Sequence, residues 1–133
     1  INAWSDLKPF KVGYERGMTI IAEHSELNLL PANSIESAIL QASMGRVDVL
    51  LNDDFTTRYN LRRMGVENLI ANPTPLAPGP AFHLLNSKHQ KLAEQLNEVL
   101  LEMTANDRIR QIKDEVIEDF MRKAEQEYRQ EQP

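Results

Sequence analysis

Short apolar runs alternate with segments of helical periodicity along the first part of the chain. Three runs have the length and composition of strands, and they lie at 10–14, 27–32 and 47–51. Apolar residues after these runs recur at helical spacing, which predicts that each strand is followed by a helix. The run at 47–51 is almost unbroken, as in parallel strands that are covered on both faces. The alternation predicts an α/β fold with a mainly parallel sheet between helices, in three αβα layers.

Residues with capping preferences mark the predicted helix ends. Ser34 is a typical N-cap residue, and Gly45 is typical of the residue that ends a helix. Gly17 precedes a shorter stretch that would form one or two helical turns. A further helix is predicted over 55–65.

The second part of the chain has a different pattern. A fourth strand is predicted at 67–71 and a fifth at 81–85, with a proline-rich passage at 72–80 between them. Two helices are then predicted from apolar stripes, which consist of Leu92, Leu96, Val99 and Met103 in the first and Ile109, Ile112, Val116 and Phe120 in the second.

These changes of pattern divide the chain into three predicted segments. Residues 1–80 would form an α/β domain, and residues 81–121 would form a return strand and two C-terminal helices. Residues 122–133 carry many charges and no continuing apolar stripe. This last segment is therefore predicted to be a charged tail, most simply a solvated and fraying helix end.

Charge and composition narrow the classes of partner. The formal net charge is -5, from 15 basic and 20 acidic residues without a basic cluster, so no nucleic-acid partner is predicted. The chain has no cysteine, which excludes disulfides, thiolate zinc sites and cysteine nucleophiles. It begins at Ile1 without a basic and apolar leader, which suggests a processed or truncated chain.

Two adjacent carboxylates, Asp53 and Asp54, follow the third predicted strand. One interpretation is that one of them caps the helix at 55–65. The other is that one faces a ligand, because open parallel sheets bind ligands beyond the carboxyl ends of their strands. Two aspartates allow both roles at once, so the residues alone leave the assignment open.

The order of several weak motifs resembles the second half of the bacterial extracellular solute-binding proteins of family 3. "LKPFKVGYERGMT" is similar to the segment that opens the second lobe of that family, and "SIESAILQASMGRVDVLLNDD" to its helix, turn and strand. "AFHLLNSKHQKLAEQLNEVLLEMTANDRIRQI" is similar to the return segment with its two helices. The resemblance covers roughly Leu7 to Glu118 and lies in the order of the motifs.

The resemblance implies a fold, a location and partners. The fold would be a lobe of the type II periplasmic binding proteins, and the protein would bind a small polar solute, amino-acid-like in character, in the periplasm. It would deliver this solute to the permease of an ABC importer after hinge closure. A first lobe of roughly a hundred residues is missing from the chain by this comparison.

The resemblance also implies site residues. Gly17, Met18 and Thr19 would form the turn that receives a ligand carboxylate, and Asp53 would accept hydrogen bonds from a ligand ammonium group. Met18 departs from the family pattern, because a thioether cannot donate the hydrogen bond of a Ser or Thr hydroxyl. Independently of the resemblance, Tyr14 ends the first predicted strand near Gly17 and would offer an aromatic face to the solute. The structural alternatives are a tight turn at Gly17, a helix cap at Asp53 and a core position for Tyr14.

No catalytic or cofactor site is predicted. Sequence proximity does not show that Asp48, Asp53 and Asp54 are held at the separation that acid-base catalysis requires. His24, His83 and His89 lack metal-ligand spacing. The sequence therefore predicts a noncatalytic protein without a cofactor. The alternative to solute transport is a ligand-sensing or protein-interaction domain of a signalling protein that has lost ordinary solute recognition.

Self-association is also expected of this chain. The two C-terminal apolar stripes would ordinarily pack in part on the first lobe of a solute-binding protein. Without that cover, the stripes would favour association between copies of the chain.

Overall fold

The computed structural model describes residues 1–79 and 82–131 and has an α/β fold. It contains two compact units. Unit 1 comprises Ile1–Ala77 and the segment that begins at Met121, and unit 2 begins at Pro78 and ends at Phe120.

The sheet of unit 1 has three parallel strands, β1 (Lys11–Glu15), β2 (Asn28–Ala32) and β3 (Val49–Leu51). Their order is β2-β1-β3, so β1 is paired along both of its edges. The prediction of three parallel strands that alternate with helices is confirmed, and each strand end lies within two residues of its predicted position. The sheet is open, and together with its helices it forms the α/β fold that the sequence predicts.

Asp48 and Gly13 bring the chain before β3 against β1. The Asp48 Oδ2 accepts a hydrogen bond from the Lys11 backbone N at 2.7 Å, and the Asp48 backbone N donates to the Lys11 carbonyl O at 2.9 Å. A Cβ atom on Gly13 would lie only 2.9 Å from the Cγ2 of Val47. Glycine at position 13 therefore leaves room for Val47, and the two hydrogen bonds between Asp48 and Lys11 hold the chain in this position.

The main buried cluster lies on one face of the sheet. Leu7 and Val12 have no exposed surface, and Leu27 is 7% exposed. Cross-strand partners in a parallel sheet share a face, so Leu29 and Val49 lie beside Val12. The 3₁₀ helix Trp4–Leu7 supplies Leu7 and Trp4 to this cluster, and it therefore covers that face.

Three helices follow the strands, namely α1 (Thr19–Ala22), α2 (Ile35–Ser43) and α3 (Asp54–Met64). The predicted cap of α2 is confirmed, because the Ser34 Oγ accepts a hydrogen bond from the Ser37 backbone N at 3.2 Å. Two glycines beyond helix ends adopt positive φ angles, 69° at Gly45 and 64° at Gly65. Helix α2 buries Ile35, Ala38 and Ile39 and contacts all three strands.

The predictions of a fourth and a fifth strand are wrong for the residues that the structure describes. Residues 67–71 form no strand, and Ile70 within them is 97% exposed. Phe82–Leu85 also lacks regular secondary structure, while Ala81 lies outside the described residues. A short apolar run forms a strand only where it pairs with another strand, and neither segment pairs with β2 or β3, although each of these strands has one edge without a strand partner in the described sheet.

The C-terminal segment differs from the predicted solvated tail. Helix α5 (Arg108–Glu131) continues through the described part of this segment, and Ala124 is fully buried. The Tyr59 hydroxyl on α3 donates to the Glu127 carboxylate at 3.1 Å, and Arg62 pairs with Glu125. These partners are 63 and 68 residues apart in sequence, so a local pattern of charges did not reveal them.

Unit 2 contains helix α4 (Gln90–Ala105) and the first part of α5. The predicted helices are confirmed, but their apolar stripes are only partly covered, with Leu92 52% and Val99 50% exposed. An open groove of about 290 Å³ lies along α4, lined by Phe82, His83, Leu85, Ala93, Leu96, Asn97 and Leu100. Much of the apolar surface of unit 2 is therefore accessible in the isolated chain.

Substitution of Gly65 should reveal how the end of α5 packs. A Cβ at Gly65 would collide with the Tyr128 ring, whereas a Cβ at Gly45 meets nothing within 4 Å. Both positions have positive φ, so each alanine variant should lose roughly 1–2 kcal/mol from backbone strain. Gly65→Ala should lose about 1–3 kcal/mol more from overpacking, measured by urea unfolding.

The double variant Gly65→Ala with Tyr128→Ala is the control for that collision. Compared with Tyr128→Ala alone, the double variant should lose only the free energy of unfolding that backbone strain at position 65 costs. Equal losses for Gly65→Ala and Gly45→Ala would show that the Tyr128 ring does not pack on Gly65.

The exposed stripes of α4 and α5 should make the chain self-associate. Light scattering across a dilution series should show a mass that rises with concentration in the micromolar range, because exposed apolar surface favours association. The paired substitution Leu92→Gln and Val99→Gln should weaken this association. A mass that stays monomeric throughout the series would refute the prediction.

Candidate functional site

The strand order brings two loops together at the carboxyl end of the sheet. The chain passes from the central strand β1 to β2 on one side, and then crosses back to β3 on the other. Ligands of open α/β sheets bind beyond the carboxyl ends of the strands. Because β1 and β3 are adjacent and parallel, the loops that follow them emerge side by side. The loops after these two strands contain four of the five predicted site residues.

The loop after β1 exposes backbone around a glycine. Gly17 has a φ of 104°, and no atom lies within 4 Å of the position that a Cβ would occupy there. The Met18 backbone N donates to the Glu15 carbonyl O at 3.3 Å, which closes the turn. Thr19 then begins α1 and is exposed. This loop is therefore open and accessible to a ligand.

The loop after β3 answers which aspartate caps α3. The Asp53 Oδ1 accepts a hydrogen bond from the Thr56 backbone N at 2.7 Å, so Asp53 is the N-cap residue. Asp54 lies in the first turn of α3 and pairs with Arg58 at 2.6 Å. A cap at one of the two aspartates is thus confirmed, but it lies at Asp53, the residue that the resemblance assigned to the ligand. Its Oδ2 has no hydrogen-bond partner among the described residues, so a ligand contact by Asp53 stays a prediction.

Tyr14 is not at the accessible edge. The residue is only 9% exposed and is paired with Pro31 on β2 and Leu51 on β3. Its side chain shares the face of Val12, two residues before it on β1. The structure therefore gives Tyr14 a mainly packing environment, and a solute would reach only a small part of its surface.

Asn52 is a site candidate that the sequence did not single out. Its Nδ2 is buried and has no hydrogen-bond partner within residues 1–79 and 82–131. A buried donor without a partner costs free energy, about 1–3 kcal/mol, unless something accepts its hydrogen bond. Asn52 lies directly between the end of β3 and the Asp53 cap. In the sequence, Asn52 could have been identified because it is the first polar residue after the apolar run that ends at Leu51.

Arg16 adds a cation to the same edge of the sheet. Its backbone N donates to the Ala32 carbonyl O at 2.8 Å, which extends the pairing of β1 with β2. Its Nε donates to the Asn33 Oδ1 at 3.4 Å, and both side chains are exposed. Charged and amide groups thus lie beyond the carboxyl ends of all three strands. This chemistry suits hydrogen bonding to a small polar or zwitterionic molecule.

The described residues contain no group of three or more His, Asp or Glu side chains that could hold a metal ion. Within the same part of the chain, no helix is both long enough and apolar enough to cross a bilayer. Comparison with protein-family models, curated proteins and solved structures found no match to this chain.

Substitutions at the two aspartates should separate their contributions to stability. Asp53→Ala removes the N-cap and should lower the free energy of unfolding by about 1 kcal/mol. Asp53→Asn keeps a capping oxygen and should change the free energy of unfolding by at most a few tenths of a kcal/mol. Asp54→Ala should have a similarly small effect, because its partner is an exposed arginine. Chemical denaturation measures all three variants. A larger loss for Asp54→Ala than for Asp53→Ala would contradict the assignment of the cap.

Proposed function

We propose that this chain binds a small polar solute without catalysing a reaction on it. The observation that carries the proposal is the parallel pairing of β1 with β3, which makes the Gly17 loop and the Asp53 loop emerge beside each other. An exposed turn beside a carboxylate supports an amino-acid-like solute, which carries both a carboxylate and an ammonium group. The resemblance to family 3 extracellular solute-binding proteins supports the same conclusion, with delivery of the solute to an ABC importer in the periplasm.

The finer fold that we propose is a three-layer lobe of the type II periplasmic binding proteins. Connections between parallel strands are right-handed in nearly all proteins. The step from β1 to β2 and the step from β2 to β3 run in opposite directions across the sheet, so right-handed connections favour opposite faces for α1 and α2. That arrangement would have helices on both faces of the sheet.

Three groups would contact the solute in this proposal. The Asp53 Oδ2 would accept a hydrogen bond from a ligand ammonium, because Oδ1 is already used by the helix cap. The Asn52 Nδ2 would donate to a ligand oxygen and thereby satisfy its own unpaired hydrogen. The open turn at Gly17, Met18 and Thr19 would receive a carboxylate through its backbone and the Thr19 hydroxyl. Met18 itself supplies no hydrogen bond there.

A second lobe would complete the site. The Gly17 turn is open to solvent, so unit 1 supplies one wall and leaves the opposite side of a solute uncovered. Solute receptors of this class close two lobes around the ligand by hinge motion.

A second candidate function follows from Met18. Replacement of a hydroxyl by a thioether at the carboxylate turn weakens the recognition of a free amino acid. The same fold would then serve as a ligand-sensing or protein-interaction domain in a signalling protein. Fold alone does not distinguish the two functions, because one fold hosts many.

A solute titration followed by NMR tests the first proposal. Amide resonances of 16–19 and 52–54 should shift together when one of the common amino acids or a small polar amine is added to the chain. In the two-lobed protein, Asp53→Asn should weaken the binding of a cationic or zwitterionic solute by about 1.5–3 kcal/mol, because it removes the negative charge and keeps the helix cap. Asp54→Asn is the matched control and should bind normally. The proposed site would be refuted by chemical-shift changes confined to other residues, or by a loss of solute affinity in Asp54→Asn alone.

A further inference from the structure

Unit 2 has no buried core of its own in the part of the chain that the structure describes. None of its residues in 78–79 and 82–120 is buried. Along the part of α5 that belongs to this unit, Ile109, Val116 and Phe120 are 39%, 44% and 40% exposed. Ile112 completes the same stripe and is partly exposed. An apolar stripe of this kind is covered only when a second apolar surface packs on it.

The apolar stripe of α5 is short and has two defined ends. The helix begins one residue before Ile109, and the next position on the stripe after Phe120 is Lys123. When two such helices pack side by side in opposite directions, one register covers the whole stripe. In that register, Ile109 would lie opposite Phe120 of a second copy, and Ile112 would lie opposite Val116 of a second copy.

Charged side chains beside the stripe favour this direction of packing. Arg108 and Asp119 are eleven residues apart in α5, which is about three helical turns, so both lie along the same side of the stripe. In the antiparallel arrangement, Arg108 of each copy would lie beside Asp119 of the other. A parallel arrangement would instead bring Arg108 towards Lys113 of the second copy, which carries the same charge. The charges are therefore complementary in the antiparallel pair.

The contacts of Arg108 within its own chain leave its guanidinium accessible. The side chain is 48% exposed, and its Nη1 lies 3.6 Å from the Oε1 of Glu115, a separation longer than a hydrogen bond. The same nitrogen donates to the Gln111 Oε1 at 3.3 Å. A guanidinium has five N–H donors, so it can also bind a carboxylate of a second copy. The two copies of Lys113 would approach each other on the other side of the stripe, where their long side chains can extend into solvent.

We propose that two copies of this chain pair through α5 as an antiparallel helix pair with twofold symmetry. The pair covers the apolar stripes of both copies and forms two symmetric ion pairs between Arg108 and Asp119. Because a twofold interface uses the same surface on both copies, association through α5 stops at a dimer. The register follows from α5 alone, and the proposal does not depend on the proposed solute binding.

Charge reversal tests the pairing in solution. Arg108→Glu and Asp119→Arg should each raise the dissociation constant of the dimer roughly tenfold in sedimentation equilibrium, because each replaces two exposed ion pairs by like charges. The double variant restores opposite charges and should return to a dissociation constant near that of the unmodified chain. The two positions are about 16 Å apart along one helix, so this rescue can come only from contact between copies. Glu118→Arg is the matched control, because Glu118 lies on the opposite side of α5 from the stripe, and it should leave the dimer unchanged.

Engineered disulfides test the direction of the pair, since the chain has no cysteine of its own. In a mixture of Ile112→Cys and Val116→Cys, the disulfide between the two variants should form faster than the disulfide of either variant with itself, because the antiparallel register places these positions opposite each other. Circular dichroism checks that each charge variant keeps its helix content, and the cysteine variants remain an independent test if one does not. The proposal would be overturned by a chain that stays monomeric, by a folded double variant without rescue, or by disulfides that each variant forms equally fast with itself.

Discussion

The pairing of β1 along both edges is the constraint on which the rest of unit 1 depends. Asp48 contributes to it with a side-chain hydrogen bond and a backbone hydrogen bond to Lys11, at 2.7 Å and 2.9 Å. Gly13 contributes by leaving room for Val47. With β3 held on one edge of β1 and β2 on the other, the loops that follow β1 and β3 emerge side by side. The position of the candidate site is therefore a consequence of strand order.

The loop after β3 combines structural and chemical roles in neighbouring residues. Asp53 is exposed and uses one carboxylate oxygen to begin α3, while the second oxygen remains without a partner among the described residues. Asn52 beside it carries a buried donor without a partner in the same part of the chain. Proteins usually satisfy buried polar groups, and a bound molecule would complete the hydrogen bonding of the Asn52 donor. This is the strongest chemical support for the proposed solute site.

The sequence predicted those parts of the fold that short-range patterns determine. Apolar runs located β1, β2 and β3, and the Ser34 hydroxyl marked the start of α2. The segment at 67–71 has a similar composition but forms no strand, because apolar composition does not show whether a run pairs with another strand. The packing of Tyr128 on Gly65 was equally hidden, since it joins distant parts of the chain. The sequence offered both aspartates as caps, and the end of β3 decided in favour of Asp53.

Unit 1 is discontinuous in sequence, because the chain leaves it after Ala77 and returns at Met121. A ribosome that has reached Ala77 has therefore synthesised the sheet but not the helical turn that carries Ala124 and Tyr128. Until that turn emerges, Gly65 and the side of α3 that it covers remain exposed to solvent. A long loop must close before they are buried. The nascent domain accordingly passes through a stage with an uncovered flank, when a chaperone or a protease would find it most accessible.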